Sequence, residues 1–172
     1  MSEPLKCSVR PDVMSTCLSK LPGPFFDFLV TNGDHWERSG KAQRIKGIKH
    51  EYFQHPDALR VKDVIISQVA NCFRKAHPDF NYYGPTEFRN ENLDELINYL
   101  GEWIIRCRSC GTKEDFDSLL EPYFRETLTS VTNNLDEHWS NVRDDLAAKI
   151  AEVRDRARLA QRERKALLVL GI

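Results

Sequence analysis

Three groups of residues in this 172-residue chain have types and spacings that could do chemistry. The first is Cys107-Arg108-Ser109-Cys110. Two thiols three residues apart at a helix end share one side, and a structural zinc ion needs four such ligands. Cys72 with His77, or Cys7 with Cys17, would have to supply the missing pair. A redox role needs the thiols at a helix N-terminus, where the dipole lowers their pKa, whereas this pair falls at a C-terminus. The expectation is ordinary, partly buried thiols, with no metal and no cofactor. The second group is His50-Glu51-Tyr52-Phe53-Gln54-His55. It is one residue too long for a zinc metalloprotease helix, so its histidines point about 140° apart. The third is a cationic face, Arg154, Arg158, Arg162 and Lys165, which fall within about 80° of each other on a helix. Four cations on one rim engage phosphates or the acidic surface of a protein. No aromatic residue interleaves with them, so stacking on single-stranded bases is not expected.

His77-Pro78-Asp79 follows the basic stretch Phe73-Arg74-Lys75-Ala76 and precedes a further helix. The order resembles that of J-domain co-chaperones, a basic helix, a His-Pro-Asp loop and a third helix, which would imply a helical hairpin acting on a chaperone. The same tripeptide recurs at His55-Pro56-Asp57, and helix-boundary chemistry accounts for both copies, proline as terminator and aspartate as cap. No Gly-x-Ser-x-Gly, phosphate-cradling glycine loop or dinucleotide fingerprint is present. A catalytic reading is thereby reduced to a site assembled from scattered His, Glu and Cys.

The elements that must position these residues read as helices. Leu135, Trp139, Val142, Leu146, Ile150, Val153, Ala157 and Ala160 form one stripe of period 3.6, which predicts a long C-terminal helix over 132–168. The stripe fades from Trp and Leu to Ala, so this helix is expected to be buried at its start and exposed at its end. Asn92 with Glu95 is a capping-box variant opening a helix through Cys107, and Thr112 with Asp115 caps the next, which Pro122 breaks. A helix opening at Pro56 or Asp57 carries Leu59, Val61, Val64, Ile65, Val69 and Phe73. Residues 77–90 read as an ordered loop, and 34–55 as a loop with a helical turn or two. Residues 22–33, with Pro24 at the start and Asn32-Gly33 at the end, fit a short helix better than a strand, because Phe25 and Leu29 would be wasted in the strand. The fold class expected is all-α or nearly so, a single compact helical domain of about five helices over 1–172, with 1–55 irregular.

Composition narrows the function further. Net charge is −1, with 41% apolar and 30% charged residues, so the whole molecule has no pull toward nucleic acid or membrane. The charge is segregated, however. Residues 79–121 are acidic, whereas 35–50 and 154–165 are basic. Five cysteines at irregular spacing and an N-terminus without a signal-peptide core predict a reduced, cytoplasmic protein. No apolar run approaches a membrane span. The apolar end, with Leu167, Leu168, Val169 and Leu170, should bury itself in a groove of this chain or of a neighbouring copy. The function expected is a non-catalytic binding module for another protein or a second copy of itself: an inhibitor, immunity factor, adaptor or regulatory subunit. Leu167, Leu168 and Leu170 would anchor the partner, and Arg154, Arg158, Arg162 and Lys165 would steer it. The alternative is nucleic-acid binding by segments 35–50 and 154–165 together, which requires the two to be adjacent in the fold.

Overall fold

The computed structural model describes residues 18–32, 36–39, 42–45, 54–132 and 134–171. In chain order the elements are strands β1 (Phe25–Thr31), β2 (Trp36–Ser39), β3 (Ala42–Ile45) and β4 (Leu59–Lys62), then helices α1 (Asp63–Ser67) and α2 (Ala70–Ala76). Strand β5 (Pro85–Phe88) follows, then α3 (Asn90–Arg108), α4 (Lys113–Leu119), α5 (Pro122–Val131), α6 (Leu135–Arg162) and β6 (Ala166–Gly171). Four strands form an antiparallel sheet in the order β4-β1-β6-β5, and β2 and β3 pair as a separate hairpin. The chain is therefore mixed α and β, which overturns the all-α expectation.

The reason lies in β1 and β6, both central and both buried on two faces. One face of β1 sends Phe26 and Phe28 into the main core, joined there by Val61, Phe88, Leu167 and Val169 from the other strands. The opposite face packs Leu29 against Leu168 and Leu170. Phe25 is not wasted either: the Arg60 guanidinium and the Lys62 ammonium stand 4.7 and 4.0 Å from its ring centre. A strand buried on both faces shows no polar–apolar alternation, so its period is invisible in the sequence. Asp27 lies fully buried on this second face. Its two carboxylate oxygens accept hydrogen bonds from Arg60 Nε at 2.9 Å and from the Gln54 backbone N–H at 3.0 Å. Both oxygens are thus satisfied, which is what makes the burial tolerable.

The helix expected from Pro56 is instead strand β4 followed by two short helices, α1 and α2. Strand β5 occupies part of the expected 77–90 loop. The 34–55 loop lies largely outside the described residues, apart from hairpin strands β2 and β3. Elsewhere the helices follow the sequence more closely. Thr112 caps α4 by accepting from the Asp115 backbone N–H at 3.2 Å, and Pro122 opens α5 in its first turn. Helix α3 begins at Asn90 with no side-chain cap, so the Asn92–Glu95 capping box does not form. In α6 the predicted stripe is buried from Val142 to Ala160, whereas Leu135 and Trp139 at its start are only half-buried, the reverse of the expected order. Ala157 and Ala160 are 0% exposed, because short side chains let the helix lie close against its neighbours. Helix α6 packs chiefly on α3 and then on β1. It stops at Arg162, and the apolar end turns back as β6 between β1 and β5.

Candidate functional site

A groove of ≈ 750 Å³ lies between α1, α2, the 81–84 turn and the start of α5. Its rims are aromatic. Asn81 builds one rim: its backbone N–H donates to Thr86 Oγ1 at 3.1 Å, and its Oδ1 accepts from the Tyr83 N–H at 3.1 Å. That Asx turn sets the two neighbouring rings edge to face. Tyr82 turns inward, edge-on to Phe26 at 5.0 Å, and donates its hydroxyl to the Asp63 carbonyl at 3.1 Å. Tyr83 turns outward, 82% exposed, with its ring 5.1 Å from that of Tyr82. The second rim is Tyr123, 62% exposed. Its place is set by Pro122 at the helix start and by the Glu121 N–H, which donates to Gln68 Oε1 at 3.0 Å. Tyrosine and arginine are the residues most often found at the energetic centre of protein interfaces.

Between the rims lie Arg74, Asn71, Ser67 and Asp63. Asn71 Oδ1 accepts from Arg74 Nη1 at 3.2 Å, and Ser67 Oγ donates to the Val64 carbonyl at 2.7 Å. Burial, reinforced by the Asp63 carboxylate, pushes the Tyr82 phenol up to about 12, so it stays a donor at neutral pH. Burial also raises the Asp63 carboxyl above its ordinary range. Ser67 is committed to its own backbone, so the lining presents rings, a guanidinium and hydrogen-bonding groups: the chemistry of recognition.

The residues singled out from sequence are distributed as follows. Arg154, Arg158 and Arg162 stand one turn apart on α6, and Lys165 follows its end. Asp155 pairs with Arg154 at 3.3 Å and with Arg158 at 3.5 Å, and Glu163 pairs with Lys165 at 2.7 Å. The acidic helix α3 reaches this face through Asp94, which accepts from Gln161 at 2.6 Å. Leu167, Leu168 and Leu170 are fully buried in β6: Leu167 in the main core, the other two in the cluster on the second face. They are spent on the chain's own sheet, and a partner would have to be anchored elsewhere.

Cys107 donates to the Arg143 carbonyl at 3.7 Å and Cys110 to the Arg106 carbonyl at 3.4 Å. Burial, with Cys110 adding to it, pushes the Cys107 thiol up to about 12, and burial also raises Cys110. Both stay protonated, the unreactive form. Cys72 is pushed up to about 11 for the same reason. Among the described residues no three His, Cys, Asp or Glu side chains gather closely enough to hold a metal ion. Cys7, Cys17 and His50 lie outside the described residues. The two His-Pro-Asp copies make the same turn: His55 Nδ1 accepts from Asp57 N–H at 3.1 Å, and His77 Nδ1 from Asp79 N–H at 3.2 Å. No described helix is long and apolar enough to cross a membrane.

Sequence reasoning saw Asn81-Tyr82-Tyr83-Gly84 as an ordered turn but not as a rim. The three consecutive groups were the available signal, whereas Tyr123 joins them only through the packing of α5. No protein-family model, curated protein or solved structure matches the chain. The functional reading therefore stands on this geometry.

Proposed function

We propose that the chain is a non-catalytic protein-binding module that seats a segment of its partner in the tyrosine groove. The observation that carries this reading is the pair of exposed rings, Tyr83 and Tyr123, that line one ≈ 750 Å³ recess. Neither ring is needed to cover the core, and both are held by hydrogen-bonded backbone. Rigid aromatic anchors with few rotatable bonds lose little entropy on binding. The role first expected of Leu167, Leu168 and Leu170 passes to these rings, while the exposed cations at the end of α6 remain available for long-range steering. A reducing, cytoplasmic setting fits the three free and buried thiols Cys72, Cys107 and Cys110.

The test is affinity capture from the native host with the wild-type chain and with Tyr83→Ala/Tyr123→Ala, each with and without nuclease. A stoichiometric protein retained by the wild type, resistant to nuclease and lost with the double variant supports the groove. Removing a central tyrosine costs about 2 kcal/mol, or about 30-fold in Kd. Equal capture by the two proteins, or capture abolished by nuclease, overturns it.

A further inference from the structure

The turn joining α6 to β6 holds an arginine in a backbone conformation that favours glycine. The Lys165 N–H donates to the Ala160 carbonyl at 2.8 Å and the Arg164 N–H to the Gln161 carbonyl at 3.1 Å. This is the Schellman arrangement, in which the residue after the C-cap is left-handed and usually glycine. Here that residue is Arg164, at φ 54°. A side chain is strained there; the turn needs this conformation to lead α6 into β6, but it does not need an arginine. Arg164 is exposed and makes no ion pair among the described residues. An exposed arginine standing where glycine would be unstrained points to a use for its side chain.

Its surroundings say what the use is. Arg158, Arg162 and Lys165 are exposed beside it; within 154–165 six cations face two acids, Asp155, which pairs with Arg154 and Arg158, and Glu163, which pairs with Lys165. The register pairs Thr31 with Ala166, so β1 ends beside the strand that this cationic turn begins. Among the apolar side chains of this region Ala157, Ala160, Leu167 and Leu168 are buried and Leu159 is half-buried. That leaves a face dominated by cations with no fully exposed apolar anchor, whereas the centre of a protein interface is apolar or aromatic. Guanidinium forks without aromatics suit phosphates along a backbone rather than stacked bases.

We propose that this end of the sheet, built on Arg158, Arg162, Arg164 and Lys165, binds the phosphate backbone of nucleic acid without reading its sequence. The site is separate from the tyrosine groove and does not depend on it.

The experiment is fluorescence anisotropy of the full chain with a labelled 20-bp duplex DNA at 50 to 200 mM NaCl, alongside thermal melting. The wild type should bind with a log–log salt slope of about −3. Arg164→Gly should flatten that slope by about one and weaken binding several-fold at low salt. It should also raise Tm by about 2–4 °C, because glycine relieves the strained φ. Weaker binding together with a higher Tm is a pair of signs that a structural arginine does not produce. Arg162→Glu/Arg164→Glu should abolish binding, and Tyr83→Ala/Tyr123→Ala should leave it unchanged. Salt-insensitive binding, an unaltered slope in Arg164→Gly, or a lower Tm in that variant overturns the proposal. So does preference for polyglutamate over the duplex at equal charge, which would make the ligand an acidic protein.

Discussion

Phe28 in β1 and Tyr83 in the 81–84 turn are both aromatic, yet Phe28 is 0% exposed and Tyr83 82%. Phe28 sits among Phe26, Phe73, Val61 and Val169 in the main core, with its ring 6.0 Å from that of Phe73. Tyr83 touches the fold mainly through the edge of Tyr82. The difference separates two uses of one kind of side chain. A ring at the sheet centre stabilises the fold by leaving water, and it is unavailable to any ligand. A ring at the groove rim contributes little to stability and keeps its whole face for a partner.

Four substitutions probe that contrast, beginning with the largest effect. Phe28→Ala should cost about 3–5 kcal/mol through lost burial and a cavity, enough to leave the protein largely unfolded in a denaturant titration. A loss under about 1 kcal/mol would mean that the sheet centre is not the core. Gly171→Ala comes next. Its added Cβ would run into the Tyr82 carbonyl and the Phe26 ring, so a cost of about 1–3 kcal/mol is expected from overpacking. Because Tyr82 borders the groove, this variant should also lower affinity for a partner, which ties the two regions together. Tyr83→Ala/Tyr123→Ala should shift stability by no more than about 0.5 kcal/mol per site. A larger loss by chemical denaturation would return these rings to the core and end the comparison.

The smallest effect concerns His77, whose ring stands edge-on to Phe88 at 5.4 Å. Burial holds its folded-state pKa below 6.5, with Asp79 opposing that shift. The unfolded chain therefore takes up the proton first as pH falls. The stability that this histidine's neutrality supports is full above about 6.5 and declines below it, down to the folded pKa. Melting curves from pH 8 to 5 should show a decline in Tm that is shallower in His77→Gln. Parallel curves would remove His77 from the account.

Much of the helical half was legible in advance. The stripe from Val142 to Ala160 repeats often enough to overdetermine α6, and Thr112, Asp115 and Pro122 punctuate α4 and α5 by local chemistry alone. The sheet was not legible, because β1 and β6 carry apolar residues where alternation would demand polar ones, and β4, which does alternate, is only four residues long. Leu59, Val61, Val64 and Ile65 also satisfy a helical period, although only the latter two are helical. The alanines closing α6 misled in the other direction. Small size looks like weak amphipathicity in a sequence, yet in a packed interior it marks the closest approach.

By itself the sequence determined what depends on neighbours within a few turns: helix periods, caps, proline breaks and the segregation of charge along the chain. Tertiary structure alone decided what depends on residues distant in sequence becoming neighbours in space. It placed β6 between β1 and β5, so that an apolar end became a central strand. It brought Tyr123 to the same groove as Tyr82 and Tyr83, and the end of β1 beside the cationic turn after α6. Local sequence encodes backbone preference at every position, but which apolar surfaces cover one another is a choice made once for the whole chain, by the burial that all of them share.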